Sequence, residues 1–229
     1  MCMYFDSSYL LLIPGLLLAL WAQYAVKSAY DKYSKVPSRN GMQAADAVRQ
    51  MLNAGGNGQV QVLQGQGVLT DHYDPRNKTL RLSEGVYGST SVAALGIAAH
   101  EAGHAMQDKE GYAFLGFRTA IVPVVSFGSK LSLPIFIIGL IMSYRPLTWI
   151  GIGLFALTVI FTLITLPVEF DASKRAIRML NSSGVIAGDE EQSVRKVLNA
   201  AAMTYVAAAV GAVLQLARLI LLSRSRRRD

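Results

Sequence analysis

Cysteine is almost absent from this 229-residue chain, Cys2 being the single one. No disulfide can form within the chain, and a metal site built on thiolates is excluded. Cys2 stands just ahead of an apolar run, where it could be acylated; a passive residue is the simpler reading. Charge is scarce too, at 16% of residues, against about a quarter in soluble domains. With 52% hydrophobic residues and a mean hydropathy of +0.33, that shortage points to a membrane protein. Met1 to Ser8 holds no Lys or Arg, so the basic n-region of a cleaved signal peptide is missing. The apolar segment after it reads as a retained span. Internal repeats and low-complexity tracts are also lacking.

The formal net charge is +7, and much of the excess sits in one place. Arg224, Arg226, Arg227 and Arg228 follow directly on an apolar run, as a juxtamembrane anchor on anionic headgroups would. No aromatic-basic interleaving accompanies them, so nucleic acid is not an expected partner.

Four segments have the length and composition of spans. Tyr9 to Val26 (YLLLIPGLLLALWAQYAV) is uncharged, with Trp21 and Tyr24 near one end, where amphipathic rings favour the interface. Thr119 to Met142 is interrupted by Lys130, which is costly in a span unless it meets a cavity, a partner or the interface. Leu147 to Pro167 is uncharged, and Ala201 to Leu222 carries Arg218 near its end, within snorkelling reach.

Between the first two spans lies a polar, Gly-rich stretch. Gly41 to Ala54 has helical periodicity and stops at Gly55-Gly56. Runs from Gln59, Gly67 and Lys78 have strand character, and Asp74-Pro75-Arg76-Asn77 supplies turn chemistry for a hairpin between the last two. Ser89-Thr90-Ser91 offers N-cap hydroxyls to a helix over about Val92 to Lys109, with Gly111 as its stop. The expected organisation is therefore 1–26 as a first span and 27–112 as a catalytic part. Two spans follow over 113–167, then a polar helical stretch over 168–200, and a last span with a basic tail over 201–229.

The chain has only three histidines, and two of them form His100-Glu101-Ala102-Gly103-His104 on the predicted long helix. Residues four apart lie one turn above each other, so both imidazoles can face one zinc ion, while Glu101 can act as general base on water. One Zn2+ per chain is the implied cofactor. Small residues at Ala98, Ala99, Ala102, Gly103 and Ala105 leave room for the metal and for close packing.

A catalytic zinc usually takes three protein ligands. His72 on a predicted strand and Glu169, where the third span meets the polar stretch, are the candidates for the third. Asp108 has the wrong reach. Chemistry alone favours Glu169 and leaves His72 open. Here AAHEAGHAMQ, LPVEFDASKRA and DHYDPRNKTLRLS resemble the YugP-like neutral zinc metallopeptidases, over nearly the whole chain. More distantly the chain is similar to heat-shock-type membrane metalloproteases and CAAX prenyl proteases. Those are gluzincins, whose third ligand is a Glu on a downstream helix. The resemblance implies a mainly α membrane protein with about four transmembrane helices and a small α+β zincin-like domain. It also implies zinc ligation by His100, His104 and Glu169. In the distant relatives an Asp four residues after the ligand Glu supports a histidine. Here that position is Ser173, so the support of the histidines is open; Asp171 points to another side of the helix.

The expected substrate is a membrane or membrane-proximal polypeptide, with the lipid bilayer as the other partner. The strand around Asp71 to Asp74 could pair with an extended peptide and bring His72 and Tyr73 to the cleft, or it could be a plain hairpin. Tyr205 and Arg175 are candidate oxyanion donors. The metal requires both polar stretches on one face of the membrane. Lys27, Lys32, Lys35 and Arg39 favour the cytoplasmic face, as do the basic residues of 168–199; Arg145 and the C-terminal arginines favour the reverse. A metal-binding scaffold that does not cleave, and a zinc hydrolase of a non-peptide substrate such as a lipid, are the rival readings.

Overall fold

The computed structural model describes residues 7–225; Cys2, Arg226, Arg227 and Arg228 lie outside the described residues. A 3-10 turn at Ser7–Leu12 leads into α1 (Ile13–Tyr33). Then come α2 (Ala44–Ala54), β1 (Gln61–Gln64), β2 (His72–Asp74), β3 (Thr79–Leu82), the single turn α3 (Glu84–Tyr87) and α4 (Val92–Lys109). Three long helices complete the described residues: α5 (Ala113–Ile141), α6 (Arg145–Ser182) and α7 (Glu191–Ser225). The protein is thus mainly helical, with one small sheet.

Among the described residues four helices, Ser8–Tyr33, Ala113–Ile141, Arg145–Ser182 and Glu191–Arg224, are long and apolar enough to cross a bilayer. In their apolar windows only 11–28% of residues are buried within the protein, so most of that hydrophobic surface is left for lipid to cover.

By its internal contacts the chain divides into two compact units. The apolar unit takes in the described part of Met1–Gln23, all of Phe117–Leu166 and the described part of Thr204–Asp229. Glycine lets its helices meet backbone to backbone. A β-carbon on Gly151 would lie 2.6 Å from the Phe136 nitrogen, and one on Gly139 would lie 2.5 Å from the Thr148 nitrogen, so α5 and α6 form a tight hairpin. Gly15 of α1 similarly faces Gly211 of α7.

The polar unit comprises Tyr24–Gly116 and Pro167–Met203. Its sheet has the order β1-β3-β2, with β1 parallel and β2 antiparallel to β3. The expected hairpin is present, in the register Tyr73↔Leu80. Its turn is held by Asp74, whose carboxylate accepts from the Arg76 and Asn77 nitrogens at 2.9 Å each. The amphipathic α2 buries Ala44, Ala47, Val48, Met51 and Leu52. These join Leu80, Leu82, Leu95, Leu180, Val194 and Leu198 in one core, so α4, the sheet and the polar halves of α6 and α7 share a single hydrophobic centre.

At α4 the sequence signals act as expected. Ser91 accepts a hydrogen bond from the Ala94 nitrogen at 3.2 Å, and Gly111 takes the left-handed conformation, at φ 65°, two residues past the last turn. The long helices differ from expectation. Pro167 reads as a boundary because it lacks an N–H and crowds the carbonyl four residues back. Yet α6 runs through it unbroken. Val168, Ala172, Ala176 and Leu180 beyond it are fully buried, and that packing outweighs the proline's cost of about 3 kcal/mol. Likewise α7 begins at Glu191, ten residues ahead of the expected span, and Val194, Val197 and Leu198 are buried on its first turns.

Candidate metal centre

Helix α4 is lined with small residues at Ala98, Ala99, Ala102, Gly103 and Ala105, four of the five alanines or glycine being wholly buried alanine. They let α6 come so close that no side chain fits between the two backbones at Gly103. His100 and His104, one turn apart, then face Glu169, which enters from α6 two residues after Pro167. The His100 Nε2 lies 3.1 Å and the His104 Nε2 3.5 Å from the same Glu169 oxygen. The imidazoles meet edge to face with centroids 4.7 Å apart. One ligand atom from each of the three residues lies within 4.8 Å of the others.

This donor set fits a divalent metal. Glu169 is 2% exposed, and a buried carboxylate needs a cation or strong donors to stay charged. Two imidazole nitrogens and a carboxylate oxygen suit zinc in particular. Burial alone would lower the His104 pKa. The hydrogen bond to Glu169 and the charges of Glu101 and Glu169 outweigh it, so the net shift is upward: the pocket is electronegative enough to hold positive charge.

Each ring is oriented by its other nitrogen. His100 Nδ1 is 3.1 Å from the Ser173 hydroxyl, and His104 Nδ1 is 2.9 Å from Gln107 Oε1. Gln107 is itself fixed, donating to the Val168 carbonyl at 2.8 Å and to Asp171 at 2.9 Å. Asp171 is held in turn by Arg175 at 2.6 Å, and Arg175 also pairs with Glu110 at 2.6 Å. Asp171 thus reaches His104 through Gln107. Sequence reasoning missed Gln107; its spacing of three residues from His104 on one helix face was the available signal.

Glu101 lies beside the triad and accepts the Tyr73 backbone N–H at 3.0 Å. That N–H points away from β3, so β2 is an edge strand whose outer rim meets the general-base candidate. The Tyr73 hydroxyl donates to Asp108 at 2.5 Å, and Lys78 pairs with the same carboxylate. His72 is exposed, with Nδ1 bonded to the Thr70 carbonyl at 2.8 Å, and is not in the cluster with His100 and His104. Tyr205 belongs to α7 within the apolar unit.

The family described as "Putative neutral zinc metallopeptidase" matches residues 8–224. The chain belongs to this zinc metallopeptidase family. It is also 45% identical, over 212 residues, to the "Putative membrane protease YugP" of Bacillus subtilis (strain 168), covering 93% of this chain and 94% of that relative. No solved structure matches. Zinc is the metal that membership in the family implies, and the four apolar helices agree with a membrane protein.

Proposed function

We propose that this metallopeptidase is a gluzincin-type, membrane-embedded endopeptidase that takes one zinc per chain on His100, His104 and Glu169. The observation that carries the reading is the convergence of these three donors, from two helices, beside Glu101. When bound, zinc supplies a Lewis acid that polarises a peptide carbonyl and makes water acidic near neutral pH. Glu101 takes the proton from the attacking water and passes it to the leaving amine. Ser173 orients the His100 ring, while Gln107, with Asp171 and Arg175 behind it, orients His104. Glu169 supplies the negative charge that offsets the metal.

The outer rim of β2 is a docking edge for an extended polypeptide, which would pair with the backbone at Tyr73. Glu101 then gives up the Tyr73 N–H and turns to the scissile bond. Substrates are membrane or membrane-proximal polypeptides, since the third ligand follows directly on a membrane-spanning segment. The basic residues Lys27, Lys32, Lys35 and Arg39 after the first span support a cytoplasmic catalytic face.

Metal content by mass spectrometry, together with cleavage of a peptide library, tests this on detergent-purified protein. Wild type should carry about one zinc per chain. Glu169→Ala should lose most of it, and Glu101→Gln should keep the metal while losing cleavage by about a hundredfold or more. Zinc kept in full by Glu169→Ala would remove that ligand. Undiminished cleavage by Glu101→Gln would remove the general base, and zinc without any cleavage in wild type would favour a scaffold.

A further inference from the structure

The described part of the apolar unit contains no Asp or Glu at all, yet it carries Arg118, Lys130, Arg145, Arg218 and Arg224. Arg218 has partners in the unit: its guanidinium lies 3.8 Å over the Tyr9 ring and donates to Ser8 at 3.2 Å. Arg145 and Arg224 are different. They line one cavity of about 590 Å³ between the α5–α6 turn and the end of α7, and among the described residues no anionic group pairs with either.

The rest of the lining is amphiphilic. Ser143, Thr148 and Ser223 bring hydroxyls, whereas Leu140 and Trp149 bring apolar surface. The turn is tight, with Ser143 at φ 52°, and it starts α6 at Arg145, so the positive end of that helix dipole adds to the two guanidiniums. Tyr144 and Trp149 on the same turn are 55% and 52% exposed. Exposed amphipathic rings where two spans end mark the level of lipid headgroups.

We propose that this cavity binds the phosphate of an anionic phospholipid. Arg145 and Arg224 hold the phosphate oxygens, the hydroxyls take the polar headgroup, and Leu140 and Trp149 pack on the start of the acyl chains. The volume lies in the range of small-molecule sites. A free phosphate would satisfy the cations but leave the apolar lining unused, which favours the lipid. The site is separate from the metal centre and does not depend on the reading of that centre.

Native mass spectrometry of the full chain, released from micelles doped with phosphatidylglycerol or phosphatidylcholine, tests the proposal. Wild type should retain one phosphatidylglycerol per chain in preference to phosphatidylcholine. Arg145→Gln with Arg224→Gln should weaken that retention roughly thirtyfold, taking each basic residue near the surface at about a fivefold effect. The exposed pair Arg76→Gln with Arg81→Gln, which removes the same charge from the polar unit, should leave it unchanged. Each single variant is expected to weaken retention several-fold, should the double variant not be recovered folded. Equal retention by the double variant, or equal retention of phosphatidylcholine, would overturn the site. Displacement of the lipid by an equal concentration of inorganic phosphate would overturn the lipid as its ligand.

Discussion

The carbonyl oxygen of Ala172 lies 2.5 Å from the point where a β-carbon on Gly103 would stand. Helices α4 and α6 therefore touch at the level of the candidate metal-binding triad, with His100 and His104 on one helix and Glu169 on the other. Gly103→Ala must push the backbones apart. The expected cost is about 1–3 kcal/mol of stability, together with loss of zinc beyond what the destabilisation explains. Thermal unfolding and metal content, measured on one preparation, separate the two effects. Wild-type zinc affinity in this variant would show that the triad tolerates the displacement.

The orientation of His104 rests on Gln107. Gln107→Leu keeps the volume but removes the acceptor at His104 Nδ1 and leaves Asp171 without that donor. Zinc affinity should fall by about 10–100-fold, read by competition with a chromogenic chelator.

Ser173 is the longer of the two ring supports, its hydroxyl lying 3.1 Å from His100 Nδ1 against 2.9 Å from Gln107 to His104. Ser173→Ala should loosen zinc, and Ser173→Asp should tighten it, because a carboxylate accepts a stronger, charge-assisted bond from the ring. The same chelator competition reads both, and opposite signs are expected.

Tyr73 links β2 to α4 through Asp108. Burial first, and the hydrogen bond to Asp108 second, raise the phenol's pKa above its ordinary value of about 10. A raised folded-state pKa means a contribution that is complete below the unfolded value and is lost as pH climbs past it. Stability of the wild type should thus decline from about pH 10 upward, and Tyr73→Phe should decline less steeply while costing about 1 kcal/mol near neutrality. Parallel slopes for the two proteins in chemical denaturation would contradict this.

Local signals made much of the polar unit legible. The N-cap at Ser91, the turn at Asp74 and the glycine stops at Gly55-Gly56 and Gly111 each involve residues close in sequence, and each acts where periodicity places it. The His100/His104 pair was legible for the same reason, since four residues make one helical turn. Chemistry alone favoured Glu169 but left His72 open, and only the family resemblance separated them, because the contact of Glu169 with His100 spans 69 residues and two apolar segments. The path from His104 through Gln107 to Asp171 was hidden, since it depends on how closely α4 and α6 approach. The continuity of α6 was hidden as well: proline's local penalty is visible in a sequence, whereas the tertiary packing of Val168, Ala172 and Ala176 that overrides it is not.

The wide separation of the triad along the chain also sets a schedule. At ordinary rates of translation, roughly 3–14 seconds pass between synthesis of His100 and of Glu169, which lie 69 residues apart. During that interval the nascent chain holds His100 and His104 without the carboxylate that lies against both in the folded protein. The three-donor cluster is therefore withheld from the growing polypeptide until Glu169 has been added and α6 can pack on α4.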